Sequence, residues 1–318
     1  MSSDLAAPGR LDPRAAAAVT RRTALLSVSV ALVLIGAKLW AFLVSGSVAM
    51  LASLADSGLD LVASLFTLWA ISYAAHPPDA DHSYGHGKAE GFSALVQALL
   101  VGASAALIGA EAVERMRAPV PVDQGGLAIA VMLGSIFLTG ALIWAQTRAL
   151  RKTGSIAVAG DRAHYGADLA SNLAVIGGIA AASWFDLPLA DPVIGLAVAV
   201  WLAWSALGVA RGAVDQLMDR ELPDAARARI KALAEAGGDD VRLHRLRTRA
   251  AGPIIHIQFH LDVPPHISVA EAHRLMAACE ARILAEFPGA DVLIHPDPRG
   301  EAEPHGAAFF ADAAGREE

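Results

Sequence analysis

Ala55-Asp56-Ser57-Gly58-Leu59-Asp60-Leu61-Val62-Ala63-Ser64-Leu65 sets two carboxylates in the middle of a long apolar run. Their four-residue spacing puts Asp56 and Asp60 on one face of a helix. If that helix crosses a bilayer, each charge costs about 2.5–3.5 kcal/mol on insertion scales, so the structure must supply compensation. The stretch Ala163-His164-Tyr165-Gly166-Ala167-Asp168-Leu169 repeats the spacing with two more ligand-type side chains, His164 and Asp168. Laying 55–65 over 163–173 matches Ala, Gly, Asp, Leu and Leu, with Asp56 against His164. An inverted repeat gives such a match, and transporters place substrate sites at repeat interfaces.

The composition agrees with a membrane setting. The 318 residues are 55% apolar and only 18% charged, and the mean hydropathy is +0.45, which marks an integral membrane protein. A net charge of −7 leaves no broad basic surface, which argues against nucleic acid as a partner. The single cysteine, Cys279, rules out an internal disulfide and a CxxC metal pair.

Working outward, six apolar segments are expected as transmembrane helices at about 22–45, 47–74, 90–115, 124–148, 157–183 and 188–214, each near the ~20 residues that cross the hydrocarbon core. The first is too long for a signal-peptide core and shows no clear cleavage site. Arg14, Arg21, Arg22, Lys88, Arg148, Arg151 and Lys152 fall on one side of that topology, against Arg115 and Arg117 on the other. The balance places both termini in the cytoplasm. Residues 1–19 and 299–318 read as unpatterned tails, and 20–215 as the membrane domain.

From 216 to 298 the chain turns polar and carries the signals of a soluble domain. A helix from Pro223-Asp224 closes at Gly237-Gly238, and strands over 241–249 and 254–263 are joined by Ala250-Ala251-Gly252-Pro253. His256, Gln258, His260 and Asp262 share one face of the second strand; Ile255, Ile257, Phe259 and Leu261 share the other. Ser268 with Glu271 forms a capping box for a second helix, and a strand over 291–295 follows. The order αββαβ is a compact α+β domain of the ferredoxin or metallochaperone kind, so the expected class is a six-helix membrane protein with a small C-terminal cytoplasmic domain.

Three constellations can carry chemistry. Asp56, Asp60, His164 and Asp168 form a set of three carboxylates and one imidazole, which suits a tetrahedral divalent metal, Zn²⁺ foremost. A structural salt bridge explains them poorly, because Lys38 alone stands out as a basic residue within the spans. In the loop after the second span, His82 and His86 with a nearby carboxylate offer a second site. Either Asp79 or Asp81 supplies that carboxylate, and the offset from His82 favours Asp79. In the soluble domain, His244, His256, His260, His266, His273, His295 and Asp297 are dense enough to form a third.

Asp56-xxx-Asp60, His164-xxx-Asp168, His82-Ser83-Tyr84-Gly85-His86-Gly87-Lys88-Ala89-Glu90 and Asp291-Val292-Leu293-Ile294-His295-Pro296-Asp297-Pro298 together resemble the cation diffusion facilitators, in the right order and over about 24–298. The resemblance implies a homodimer in the inner, cytoplasmic membrane that exports Zn²⁺, or Cd²⁺ or Fe²⁺, in exchange for protons, with no prosthetic group. It implies that Asp56, Asp60, His164 and Asp168 are the transport site and that Asp79, His82 and His86 are the loop site. His244, His260, His273, His295 and Asp297 become a binuclear cytoplasmic site holding a structural or regulatory ion, and Lys88 and Asp219 the charge pair that interlocks protomers. His256 and His266 depart from the pattern and read as solvated surface residues; His76 and His305 receive no role.

On chemistry, a ligating histidine must be neutral, so metal and protons compete for it. An unperturbed imidazole has a pKa of about 6.5, which makes His164 the expected proton-coupled ligand of a metal/proton antiporter rather than an enzyme residue. No His-Glu-x-x-His helix exists for an intramembrane metalloprotease. An intramembrane aspartyl protease using Asp60 and Asp168 leaves His164 unexplained. A membrane metal sensor without transport is the rival reading.

Overall fold

The computed structural model describes residues 8–46, 48–117, 126–185, 189–238 and 241–300. Six long helices come first: α1 (Pro13–Ser45), α2 (Val48–Ala74), α3 (Ala89–Arg117), α4 (Gly126–Thr153), α5 (Ile156–Phe185) and α6 (Ala190–Leu217). Among the described residues, five are long and apolar enough to cross a membrane. The exception is α5, whose first half holds Asp161, Arg162 and Asp168; it packs against α3, α4 and α6 as the sixth.

The expected start of the first helix was too late by nine residues. Asp12 accepts from the backbone N–H of Arg14 and Ala15 at 2.9 and 3.2 Å, and Pro13 occupies the position where a missing N–H costs nothing. Residues 13–19, expected in an unpatterned tail, therefore form the first turns of α1. The helix stops at Gly46, whose φ of 60° lets its N–H reach the Phe42 carbonyl at 2.8 Å.

The faces of α2 explain how its polar residues are tolerated. Ser57, Asp60, Ser64 and Thr67 recur at helical spacing and are buried, whereas Leu59, Val62, Leu65 and Trp69 point outward. Gln97 of α3 donates to the Ala63 carbonyl at 3.2 Å and to Thr67 at 2.9 Å, satisfying part of that polar seam. The α3–α6 contact is built from small residues: a Cβ on Gly109 would meet Ala199 at 3.5 Å, and one on Gly195 would meet Ala112 at 3.5 Å. Such seams let helix backbones approach closely.

The C-terminal domain follows the expected order: α7 (Asp224–Glu235), β1 (Arg242–Ala251), β2 (Ile254–Val263), α8 (Val269–Glu286) and β3 (Ala290–Pro298). Strand β2 is central, antiparallel to β1 and parallel to β3. Its odd-numbered residues Ile255, Ile257, Phe259 and Leu261 pack with Ile230 of α7 and Cys279 and Ile283 of α8. Both helices thus cover one sheet face, leaving the face of His260 free of them. Ser268 and Glu271 form the expected capping box.

Residues 8–12, part of the expected tail, lie against this domain. Gly289 donates its N–H to the Gly9 carbonyl at 2.9 Å, and Arg10 approaches Glu286 at 4.0 Å. The start of α1 and the C-terminal domain consequently share one side of the helix bundle. Residues 1–7 and the tail from 301 to 318 lie outside the described residues.

The α2–α3 loop also docks on this domain. A Cβ on Gly87 would stand 2.0 Å from the Ala251 carbonyl oxygen, so only glycine permits the approach. Gly87→Ala is expected to destabilise the protein by about 1–3 kcal/mol and to expose the 75–88 loop to protease. Gly36→Ala, which meets nothing within 4 Å, serves as the control. Equal cleavage rates in the two variants would contradict the docking.

Candidate metal centres

Within the bundle, Asp60, His164 and Asp168 each offer a ligand atom, all within 4.8 Å of one another. The His164 Nε2 lies 3.0 Å from Asp60 Oδ1. Asp60 and His164 are buried and Asp168 half-buried. Asp56 stands outside this trio and is exposed. It shares the face of Asp60, but a four-residue step displaces it by about 6 Å along the helix axis.

One expectation about charges near this trio needs correction. Lys38 is not the only cation in the spans, since Arg162 lies in α5. Lys38 Nζ donates to Ser57 Oγ at 2.6 Å and to the Ser53 carbonyl at 3.2 Å. The sequence reading also passed over Asp161, a buried carboxylate that accepts from Ser27 Oγ at 2.6 Å and from Gln146 Nε2 at 2.8 Å. It sits one turn before His164, so the spacing rule that found Asp168 also reaches it. Tyr165, beside His164, shares a hydrogen bond with Ser64 at 2.8 Å and donates to the Ser27 carbonyl at 3.1 Å. These bonds tie α5 to α1, α2 and α4 around the trio.

In the loop, Asp79, His82 and His86 also gather within 4.8 Å. Asp79 Oδ1 accepts the backbone N–H of His82 at 2.7 Å and of Asp81 at 3.0 Å. The His82 bond is the main influence holding its carboxyl below the usual range. Asp79 Oδ2 lies 3.3 Å from His86 Nε2. Of the two candidate carboxylates, Asp79 gathers with the histidines and Asp81 lies outside the trio.

The third cluster lies on the helix-free sheet face. Asp297 Oδ2 lies 2.9 Å from His260 Nδ1 and 3.3 Å from His244 Nε2, and its Oδ1 lies 3.2 Å from His295 Nε2. Register explains the convergence: His260 is paired with His244 on one side and His295 on the other. Asp262 joins as an extra carboxylate, 3.3 Å from His244 Nε2. His273 does not join, because it is exposed on α8, across the sheet. His266 is exposed, as expected. His256 is not a solvated surface residue: it is buried, with Nδ1 2.9 Å from Asp291 Oδ2. His76 caps the end of α2 through the Ser72 carbonyl at 3.0 Å, and His305 lies outside the described residues.

Burial is the largest influence on His260 and takes it below the ordinary imidazole range, against the pull of Asp297. Burial also acts to raise Asp297, yet the His260 hydrogen bond and the three imidazoles hold its carboxyl below the usual range. Both values lie below their unfolded ones. The stability from His260 is therefore complete above about pH 6.5, and that from Asp297 above about pH 3.9; each is lost as pH falls through its folded value. Melting of the full chain should be lower at pH 5.5 than at pH 7.5, with His260→Ala flattening the difference. An unchanged slope in that variant would contradict the assignment.

Imidazole nitrogens gathered with carboxylate oxygens are a donor set that fits Zn²⁺ in all three clusters. Lys88 Nζ lies 3.0 Å from Asp219 Oδ1 within one chain, linking the start of α3 to the end of α6; Arg249 lies 3.3 Å from the same carboxylate.

Known proteins match this chain in sequence along nearly its whole length. A family model described as the cation efflux transmembrane domain matches residues 24–218, and one described as the cytoplasmic domain of cation efflux proteins matches 222–299. The chain is 36% identical over 302 residues to cation-efflux pump FieF of Klebsiella pneumoniae (strain 342), covering 95% of this chain and 98% of that one. It is 41% identical over 272 residues to FieF of Shewanella oneidensis, covering 86% and 92%.

Proposed function

The chain belongs to the cation efflux family, and from that premise we propose that it exports a divalent cation, Zn²⁺ foremost, from the cytoplasm in exchange for protons. One observation carries the reading: Asp60, His164 and Asp168 converge from α2 and α5 inside an apolar bundle. Ionisable groups at such a depth mark ion pathways.

A neutral His164 donates its lone pair to the cation, and Asp60 and Asp168 supply negative charge. Asp56, on the same face of α2, completes the tetrahedron, and α2 and α5 move together against the other helices to alternate access to the site. A proton arriving from the far side takes the lone pair of His164, and the cation leaves. The bonds from Asp161 and Tyr165 to α1, α2 and α4 orient α5 while this happens. Oxygen-rich sites also accept Fe²⁺ and Cd²⁺, so a metal-by-metal competition ranks the substrates.

The membrane is the inner, cytoplasmic one, with both termini on the cytoplasmic side. Residues 8–12 and the C-terminal domain share one side of the bundle, and the basic loops fall there too. The protein acts as a homodimer. His244, His260, His295 and Asp297 hold a regulatory ion, and His273, across the sheet from them, serves the ion of a second copy.

The test is Zn²⁺ uptake into proteoliposomes under an imposed pH gradient. Uptake that scales with the gradient and stops when a protonophore collapses it is expected. A protein that binds Zn²⁺ but moves none is a sensor, and that outcome overturns the proposal.

A further inference from the structure

A cavity of about 410 Å³ lies where α2 and α3 meet the C-terminal domain, and His82, Tyr84, His86, Arg249 and His256 line it. His82 and His86 belong to the loop trio. His256 comes from β2, in the other domain, and no role has been given to it. It is only 5% exposed.

The hydrogen-bond pattern fixes what His256 offers. Its Nδ1 faces the Asp291 carboxylate at 2.9 Å and so carries the proton. Its Nε2 is left with a free lone pair, and that buried atom has no hydrogen-bond partner. A carboxylate behind one ring nitrogen and a bare lone pair on the other is how metal-ligating histidines are held. A plain packing role would leave this buried nitrogen unpaired, which native interiors avoid.

The loop needs what His256 has. Asp79, His82 and His86 give three ligands, and a closed tetrahedral site takes four. Tyr84, between the two loop histidines, sets its ring edge-on to His256 at 5.5 Å. Arg249 covers the Tyr84 ring at 4.7 Å, and Gly87 abuts the Ala251 carbonyl. Loop and strand are therefore already pressed together beside the trio.

We propose that His256 is the fourth ligand of a divalent cation held by Asp79, His82 and His86, so that metal in the loop fastens the C-terminal domain to the α2–α3 junction. The inference rests on the reading of the loop as a metal site. His256 stands outside the set whose ligand atoms lie within 4.8 Å. Coordination draws β2 and the loop closer, into space that the cavity provides.

The test uses the full chain in lipid nanodiscs, with the other centres weakened by His164→Ala and His260→Ala, and Zn²⁺ titrated against a chelator. His86→Ala and His256→Ala are each expected to weaken the remaining site by at least about tenfold. Asp291→Asn, which keeps the His256 ring in place, should weaken it by about 10–100-fold and carries the test if His256→Ala misfolds. Zn²⁺ should also shield the 75–88 loop from protease in the parent and not in the His256 variant. Weakening by His86→Ala alone, with His256→Ala and Asp291→Asn unchanged, overturns the inference and leaves the loop site standing. No effect of His86→Ala removes the loop site itself, and the inference with it.

Discussion

Zn²⁺ transport in proteoliposomes falls to background, a loss of about 100-fold or more, when His164 is replaced by alanine. The side chain is the one nitrogen donor of the intramembrane trio, and it is hydrogen-bonded to Asp60. Two mechanisms contribute. The cation loses a ligand, and Asp60 loses the imidazole 3.0 Å away while still buried. Leaving a buried hydrogen-bond partner unsatisfied costs about 1–3 kcal/mol, so stability must be followed alongside flux. His164→Gln separates the effects, since an amide donates to Asp60 but takes up no proton. It should restore the melting temperature without restoring proton-driven uptake. Asp60→Ala should be as inactive as His164→Ala, and full transport by either variant would sink the assignment.

The second large effect is expected at Asp297. One buried carboxylate touches three histidines from all three strands, at 2.9, 3.3 and 3.2 Å. Asp297→Ala should remove metal from the C-terminal domain and raise the dimer dissociation constant in Zn²⁺ by at least about tenfold, equivalent to 1.4 kcal/mol. Elemental analysis and sedimentation with and without chelator measure the two quantities. Asp297→Asn keeps the packing and loses the charge, so it should lose metal while the fold persists. Unchanged stoichiometry in both variants would leave the cluster as a structural hydrogen-bond network.

What could be read from the sequence shares a physical character. Pairs within one helix, such as Asp56 with Asp60 or His164 with Asp168, follow from the 3.6-residue period, and so does the alternation of β2. The structure then gathers Asp60, His164 and Asp168 but leaves Asp56 aside, because a shared face does not mean a shared depth. Within one chain His273 lies apart from the other three histidines for a similar reason: density of histidines along the chain says nothing about which sheet face a helix covers. Asp161 was legible by spacing but lacked a visible partner, since Ser27 lies 134 residues away and Gln146 on another helix. The early start of α1 was masked by alanines that look unpatterned, although Asp12-Pro13 is a sound helix opening. His256 looked like a surplus surface histidine because the close approach of Gly87 to β1 leaves no mark in composition.

The bond from Gly289 to Gly9 joins the segment before α1 to the segment after α8, and it carries a consequence for biosynthesis. The ribosome makes Gly9 well before Gly289, so α1 enters the bilayer long before its anchor exists. Orientation is then decided by the basic residues of the nascent helices, and the clasp closes only on a finished protein. A premature stop within α8, before Gly289 is made, would thus yield a chain that inserts normally yet leaves residues 8–12 unfastened.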